Sequence, residues 1–175
     1  MVNFITFALN YSNSEGQRYK FYPKFNYLIM ICFFSEDITF NLRSKLVVKR
    51  WLKELAQRGG YTVGDINYIF CSDAYLLEMN KQYLGHDYFT DIITFDNRED
   101  LQSKRVDGDI FISIDTVRAN GEEYGEGFDR ELHRVIAHGL LHLTGYDDGT
   151  EAEQKSMRAA ENSALALLEQ LQAQK

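Results

Sequence analysis

The chain has 175 residues, of which 45% are hydrophobic and 14% aromatic, and this composition excludes a disordered chain and fits a single globular domain. Its formal net charge of −7 is unevenly distributed, because residues 1–60 hold nine Lys and Arg against four Asp and Glu, whereas residues 61–175 hold ten against twenty-two. The basic N-terminal third is therefore where a nucleic-acid phosphate backbone would be expected to bind.

Cysteine usage and hydropathy argue against export and membrane insertion. Cys32 and Cys71 lie in apolar surroundings, without the spacing of a disulfide framework or of a cysteine zinc site. The apolar run from Tyr27 to Phe34 is well short of the roughly 20 residues that cross a bilayer. The N-terminus also lacks the basic start and the cleavage site of a signal peptide. We therefore expect a cytoplasmic protein with no membrane partner.

One helix is predicted in the N-terminal part of the chain. Residues 1–34 show no sustained hydrophobic period, and residues 35–42 predict a short strand followed by a turn. Ser44 is placed to cap a helix that runs to about Arg58, where Gly59 and Gly60 end it. The apolar stripe of this helix consists of Val48, Trp51, Leu52 and Leu55.

Strands and helices alternate from residue 66 onwards. Strands are predicted at residues 66–72, 91–95 and 109–114. Helices are predicted at residues 73 to about 83, 116–124, 129–144, and from 150 to the C-terminus. This pattern predicts an α/β (α+β) fold, in which one small mixed sheet of about four strands packs with about five helices.

The stretch HGLLHLTGYDD, from His138 to Asp148, predicts a metal site at the end of a central helix. Side chains at i and i+4 share one helix face roughly 5–6 Å apart, so His138 and His142 can face one ion. Such a pair alone is more often packed or exposed than ligating. Gly145 can adopt the left-handed conformation that reverses the chain and returns Asp148 as a third ligand, with Asp147 as the alternative. The full spacing therefore predicts a three-ligand site with open positions.

Three sequence blocks in this order resemble the YbeY family of bacterial endoribonucleases and rRNA maturation factors. HGLLHLTGYDD resembles the signature HGxLHLxGYDH, MNKQYLGHDYFTDIITF resembles a block that ends in TDVLSF, and GDIFIS resembles a GDIxIS strand. Met157 and Glu161 match the family's M...E helix. The resemblance covers residues 35–168 and predicts one domain over residues 35–175. Residues 1–34 would be an N-terminal extension or a mis-assigned start, because Met30 opens a segment that resembles an ordinary family start.

The resemblance implies a function as well as a fold. It implies a single-strand-specific, metal-dependent endoribonuclease, a hydrolase of RNA phosphodiester bonds. The enzyme would act in rRNA maturation, at the 3′ end of the small-subunit rRNA, and in late ribosome quality control. His138, His142 and Asp148 would be both the catalytic residues and the ligands of one Zn²⁺, which would activate water or polarise the scissile phosphate. The implied partners are single-stranded rRNA and the small ribosomal subunit, without DNA.

Two positions depart from the family pattern. Asp148 stands where the family has its third histidine, and a carboxylate binds zinc at about 2.0–2.2 Å, so the site remains chemically sound. Its harder oxygen also admits other divalent ions. Leu84 stands where the family usually has an arginine, and a leucine side chain cannot pair with a phosphate.

Positive charge for RNA binding is therefore predicted elsewhere. Lys45, Lys49 and Lys53 follow at i, i+4 and i+8 on the first helix, and His86 stands at the family's usual lysine position. A basic helix face is more often simply solvated, and that alternative stays open.

Three carboxylates are predicted around the metal ligands. Asp91 matches the family's TD pair and either caps a turn or supports the site. Glu131, two turns before His138, either orients a ligand or is a solvated charge. Asp147, next to Asp148, has the same supporting role if it is not itself the ligand.

Two other classes of protein fit parts of the pattern. A metzincin-like zinc hydrolase has the same HxxxHxxGxx spacing, but its catalytic base is a glutamate directly after the first histidine, where this chain has Gly139. A non-catalytic ribosome assembly factor with a structural metal is consistent with Leu84 and Asp148. A closed coordination sphere would favour that factor, whereas an exchangeable position on the metal would favour hydrolysis.

Overall fold

A mixed β-sheet forms the centre of the protein. The computed structural model describes Phe4–Ile5 and residues 30–173, so most of the predicted N-terminal extension lies outside the described residues. The four longer strands are β2 (Ile31–Ser35), β3 (Thr62–Cys71), β4 (Ile92–Asp96) and β5 (Arg105–Ser113). β1 (Phe4–Ile5) pairs in parallel with β4, and the strand order is β1-β4-β5-β3-β2. β2, β3 and β5 run parallel, and β4 runs antiparallel to β5.

Five α-helices pack with this sheet in the described part of the chain. They are α1 (Lys45–Arg58), α2 (Asp73–Met79), α3 (Ile114–Glu123), α4 (Phe128–Leu143) and α5 (Glu151–Ala173). The predicted α/β fold class, with one small mixed sheet and about five helices, is confirmed.

The central helix α4 is covered on nearly all sides, since every residue from Ala137 to Leu143 is buried. It approaches the sheet closely at Gly139, where an added Cβ would lie 2.8 Å from the Ile110 side chain on β5. Two buried hydrogen bonds join α1 to α5 and β3 to α4. Trp51 on α1 donates to the Ala164 carbonyl at 2.7 Å, and Tyr68 on β3 donates to the Ile136 carbonyl at 3.1 Å. α4 is therefore a fixed platform for the residues that follow it.

Several predicted elements differ from the observed ones near the N-terminus of the domain. The strand predicted at residues 35–42 is wrong, because β2 precedes it and the chain turns at Asp37, which has a φ of 39°. Ser44 does not cap α1 with its side chain, since its own backbone is left-handed with a φ of 52°. The predicted boundary after residue 34 falls within β2, which pairs with β3 from Ile66 to Phe70.

The second helix and the strands have different lengths from those predicted. α2 ends at Met79 and continues as a π-helical turn (Asn80–Leu84), which Gly85 ends with a φ of 66°. β3 and β5 begin earlier than predicted, at Thr62 and Arg105. Among the residues described, no helix is both long enough and apolar enough to span a membrane. Both cysteines are free thiols.

Candidate metal centre

The predicted ligands meet at the C-terminal end of α4. His138 and His142 lie one turn apart on this helix, and Asp148 lies in the turn that leads into α5. Three atoms, one from each residue, all lie within 4.8 Å of one another. The two Nε2 atoms are 2.8 Å apart, and Asp148 Oδ2 is 3.9 Å from His138 Nε2. The structure thus brings together the three residues that the spacing predicted.

The turn after α4 is what returns the third ligand to the histidines. Gly145 has a φ of 94°, a conformation that side-chain-bearing residues rarely adopt. The Tyr146 amide donates to the Leu141 carbonyl at 3.1 Å, and Gln154 on α5 donates to the Asp148 carbonyl at 3.0 Å. Asp147 is exposed and stands outside the group, so the structure favours Asp148 over the predicted alternative.

The outer nitrogen of each imidazole is held by a hydrogen-bond acceptor. His142 Nδ1 lies 2.9 Å from the Tyr146 carbonyl oxygen, which can only accept, so this nitrogen carries the proton. His138 Nδ1 lies 2.7 Å from Glu161 Oε1. Burial alone would raise the pKa of Glu161, but the hydrogen bond from His138 and the nearby Arg158 and Arg134 lower it. Glu161 is therefore an ionised carboxylate, and it accepts a hydrogen bond from the Nδ1–H group of His138.

With both Nδ1 atoms donating, both Nε2 atoms present lone pairs to the same space. Burial and the neighbouring His138 lower the pKa of His142 to about 3, which keeps its ring neutral. Burial raises the pKa of Asp148, although its interaction with His138 opposes that change. Two imidazole nitrogens and a carboxylate oxygen face one another, and this donor set suits zinc and related divalent metals. The residues therefore fit a metal ion.

Glu161 was matched by resemblance but was not predicted as a site residue. It lies on α5, is 6% exposed, and links the metal centre to a buried charge network. Arg134 lies 3.4 Å from Glu161 and 3.3 Å from Glu131. Glu131 is 3% exposed, so it is not a solvated charge, and it reaches the ligands only through Arg134 and Glu161. A carboxylate behind a ligating histidine fixes the orientation of the ring and raises its basicity.

A cleft of about 1050 Å³ opens beside the metal ligands. His138 and Asp148 line it, together with the buried carboxylates Glu131 and Glu161. Asp91 was predicted as a turn or supporting residue; its carbonyl accepts from the Ser113 amide at 2.9 Å, beside the first pair of β4 and β5. Its side chain also lines the cleft, and burial raises its pKa.

Of the residues predicted to contact RNA, the lysines of α1 lie outside this cleft, and His86 contacts a residue that lines it. Lys45, Lys49 and Lys53 are on α1 and are not part of the cleft lining. His86 stacks on Tyr88, with 5.1 Å between ring centroids, and Tyr88 does line the cleft. The cationic side chains of the lining are Arg134, Lys155 and Arg158, which sequence reasoning missed. Their signal was weak, because lysine and arginine on an amphipathic helix such as α5 are ordinary surface residues.

The residue after the first histidine faces away from the metal centre. Gly139 packs against the sheet, and an added Cβ would lie 2.8 Å from Ile110 Cγ2 and 3.0 Å from Ile92 Cδ1. A glutamate at this position would have to enter the core and would not reach the ligands. The geometry therefore agrees with the sequence argument against a metzincin-like zinc hydrolase.

The chain matches known proteins over most of its length. The family model described as "Endoribonuclease YbeY" matches residues 31–169. A relative of that name from Cytophaga hutchinsonii is 51% identical over 137 residues, which are 78% of this chain and 94% of the relative. Another, from Phocaeicola vulgatus, is 52% identical over 139 residues, which are 79% of this chain and 99% of the relative. The resemblance seen in the motifs is thus confirmed.

The fold also matches a solved structure. The solution structure of TM1509 from Thermotoga maritima aligns with a TM-score of 0.55 at 27% sequence identity. The alignment covers 79% of this chain and 89% of that chain.

Proposed function

Because the chain belongs to the endoribonuclease YbeY family, we propose that it is a metal-dependent endoribonuclease that cleaves single-stranded RNA during rRNA maturation. The observation that carries this proposal is the convergence of His138, His142 and Asp148 on one cation site at the wall of an open cleft. A cleft of this size has room for a flexible strand beside the ligands.

The chain's own residues would hold the metal and are already oriented towards one site. His138 and His142 turn their Nε2 atoms inwards because Glu161 and the Tyr146 carbonyl occupy their outer nitrogens. Asp148 adds an oxygen and a negative charge. A bound divalent metal would supply Lewis-acid chemistry to the scissile phosphate and to the attacking water. Lys155 and Arg158 on α5 are placed to bind phosphates that enter the cleft.

The metal is proposed to be Zn²⁺, one per chain, because two imidazoles and a carboxylate form a common zinc donor set. The same oxygen ligand also suits other divalent ions. The predicted contacts of Lys45, Lys49, Lys53 and His86 with RNA stay part of the proposal, for parts of the strand outside the cleft.

The cellular setting is proposed from the family resemblance. The substrate would be the small-subunit rRNA near its 3′ end, on the ribosome or its small subunit, in the cytoplasm. Late ribosome quality control belongs to the same proposal, as does a single catalytic domain, predicted over residues 35–175 and extended by the rest of β2.

One experiment tests the activity directly. Purified protein is incubated with a single-stranded rRNA fragment, with chelator, and with chelator followed by zinc. Cleavage that the chelator abolishes and zinc restores is expected for the parent but not for His142→Ala. His133→Gln changes a histidine of the same helix outside the metal group and serves as the matched control.

A second candidate is a ribosome assembly factor whose metal is structural. The observation that favours it is Leu84, which packs against an apolar cluster that includes Leu76, Met79 and Phe95 and offers no charge to a phosphate. A parent protein that holds one metal per chain but leaves the rRNA fragment intact would establish this candidate and exclude the nuclease.

A further inference from the structure

Three aromatic side chains are exposed in the cleft of the metal centre. Phe89 is 62% exposed, Tyr124 is 57% exposed and Tyr88 is 41% exposed, and all three line the same cleft as His138 and Asp148. Large aromatic side chains contribute most to stability when they are buried. Several exposed rings that face one concave site therefore indicate a ligand that covers them.

Two separate elements present these rings. Tyr88 and Phe89 belong to the connection between the π-helical turn and β4, and Tyr124 directly follows α3. The connection is anchored, because the fully buried Asn80 donates to the Tyr88 carbonyl at 2.8 Å. The His86 ring stacks on Tyr88 with an interplanar angle of 21°. The rings are thus presented on supported backbone.

The charges of the cleft lining do not suit a ligand that binds through phosphates alone. Five carboxylates and three cations line the cleft: Asp91, Glu131, Asp148, Glu151, Glu161, Arg134, Lys155 and Arg158. Their formal sum is −2, which a divalent metal would bring only to zero. Attraction of a polyanion is therefore weak at this place, and other contacts have to contribute to the affinity.

We propose that Phe89, Tyr124 and Tyr88 form a stacking platform for unpaired bases of single-stranded RNA, an inference that rests on the proposed function. Every base has a π-face, so stacking on aromatic rings binds RNA without strong sequence preference. Bases in a duplex already stack on their neighbours and cannot lie on protein rings without being unpaired. The platform thus gives the site its selectivity for single strands.

Binding and cleavage are measured with one end-labelled single-stranded RNA. The dissociation constant comes from fluorescence anisotropy with chelator-treated protein, and KM and kcat come from metal-loaded protein. Phe89→Ala and Tyr124→Ala should each weaken binding about 5- to 150-fold, the range expected for one stacked base. KM should rise with little change in kcat, and the salt dependence of binding should stay the same because no phosphate contact is lost.

Two controls separate stacking from a loss of fold. Phe89→Trp keeps a flat ring and should bind RNA at least as well as the parent, with tryptophan fluorescence that the bases quench. Leu101→Ala removes another exposed apolar side chain, one that does not line the cleft, and should bind as the parent does.

Abasic RNA tests the chemistry of the contact. Replacing the bases with abasic sites should weaken binding to the parent at least as much as Phe89→Ala weakens binding of the complete RNA, and binding of the abasic RNA should be insensitive to Phe89→Ala. Equal binding of abasic and complete RNA would overturn the platform and indicate another ligand for the rings, such as an apolar protein segment. Aromatic variants that bind and cleave normally would overturn the platform alone. A metal-loaded parent that neither binds nor cleaves RNA would overturn the proposed function with it.

Discussion

Glu161 is the residue whose role depends most on the tertiary fold. Its carboxylate lies 2.7 Å from His138 Nδ1, although 23 positions separate the two residues in the sequence. Glu161→Gln keeps the size of the side chain but removes the charge that supports the ring. We expect zinc affinity to fall about 10- to 100-fold.

Competition with a chromophoric chelator measures that affinity. Glu169→Gln, an exposed change on the same helix, should leave it unchanged. Equal zinc affinities of the parent and Glu161→Gln would show that Glu161 does not support metal binding.

His133 gives a pH prediction that is independent of the metal ligands. Burial lowers its pKa below the ordinary value of 6.5, and its ring packs edge-on against Trp51 with 5.9 Å between centroids. Below pH 6.5 the unfolded chain binds a proton at His133 that the folded chain does not bind. The free energy of unfolding therefore decreases as the pH is lowered, until the pKa of the folded state is reached. The loss is at most about 1.4 kcal/mol per pH unit.

Urea denaturation at pH 7.5 and 5.5 measures this effect. The parent should lose more stability between the two pH values than His133→Gln, in which the titrating group is absent. Equal losses in the two proteins would show that His133 does not contribute.

Local spacing is why the metal ligands could be predicted from the sequence. His138 and His142 share a helix face, and Gly145 marks the reversal that brings in Asp148. Glu161 could not be placed by spacing, because it meets His138 only after α5 has packed against α4. The basic residues of α1 were predicted from charge alone, and charge does not give a position relative to the cleft.

At the scale of elements, the segments that contain turns were predicted less accurately than the helices. The segment at residues 35–42 contains Ile38, Thr39 and Phe40, which have high β-propensity. Asp37 nevertheless leaves the strand geometry, and its side chain accepts from the Ser72 amide at 3.0 Å. That contact joins residues 35 positions apart, so local propensity cannot reveal it.

The turn between α4 and α5 offers a test of how Asp148 is positioned. At Gly145 an added Cβ would lie 3.8 Å from the Tyr61 hydroxyl, so the cost of Gly145→Ala is conformational rather than steric. We expect a loss of roughly 1–2 kcal/mol in stability from the left-handed backbone, together with weaker metal binding.

Gly60→Ala is the matched control for the turn. Gly60 has a φ of 78° and open space around it, far along the chain from the ligands. It should lose comparable stability and keep its metal affinity. Loss of metal binding in Gly60→Ala, or full retention in Gly145→Ala, would contradict the role of the turn.

At the scale of the whole molecule, a metal ion held by His138, His142 and Asp148 would join the end of the central helix to the turn that leads into α5. A ligand that binds only the folded state stabilises it by about 2.7 kcal/mol at 100 times its dissociation constant. For a protein of this size that corresponds to a rise in Tm of roughly 5–10 °C. Thermal denaturation should show this rise for the parent when zinc is added after chelator treatment. An equal rise in His142→Ala would place the bound zinc elsewhere.

We propose that one metal ion, held by His138, His142 and Asp148, is required for RNA cleavage. Metal content and cleavage of single-stranded RNA should be measured on the same preparations of the parent, Asp148→Ala and Asp147→Ala, since Asp147 is the exposed neighbour of the ligand. We predict that the parent and Asp147→Ala each hold one metal and cleave, and that Asp148→Ala loses both properties. Retention of metal and cleavage in Asp148→Ala, or a metal-loaded parent that leaves RNA intact, would contradict the account.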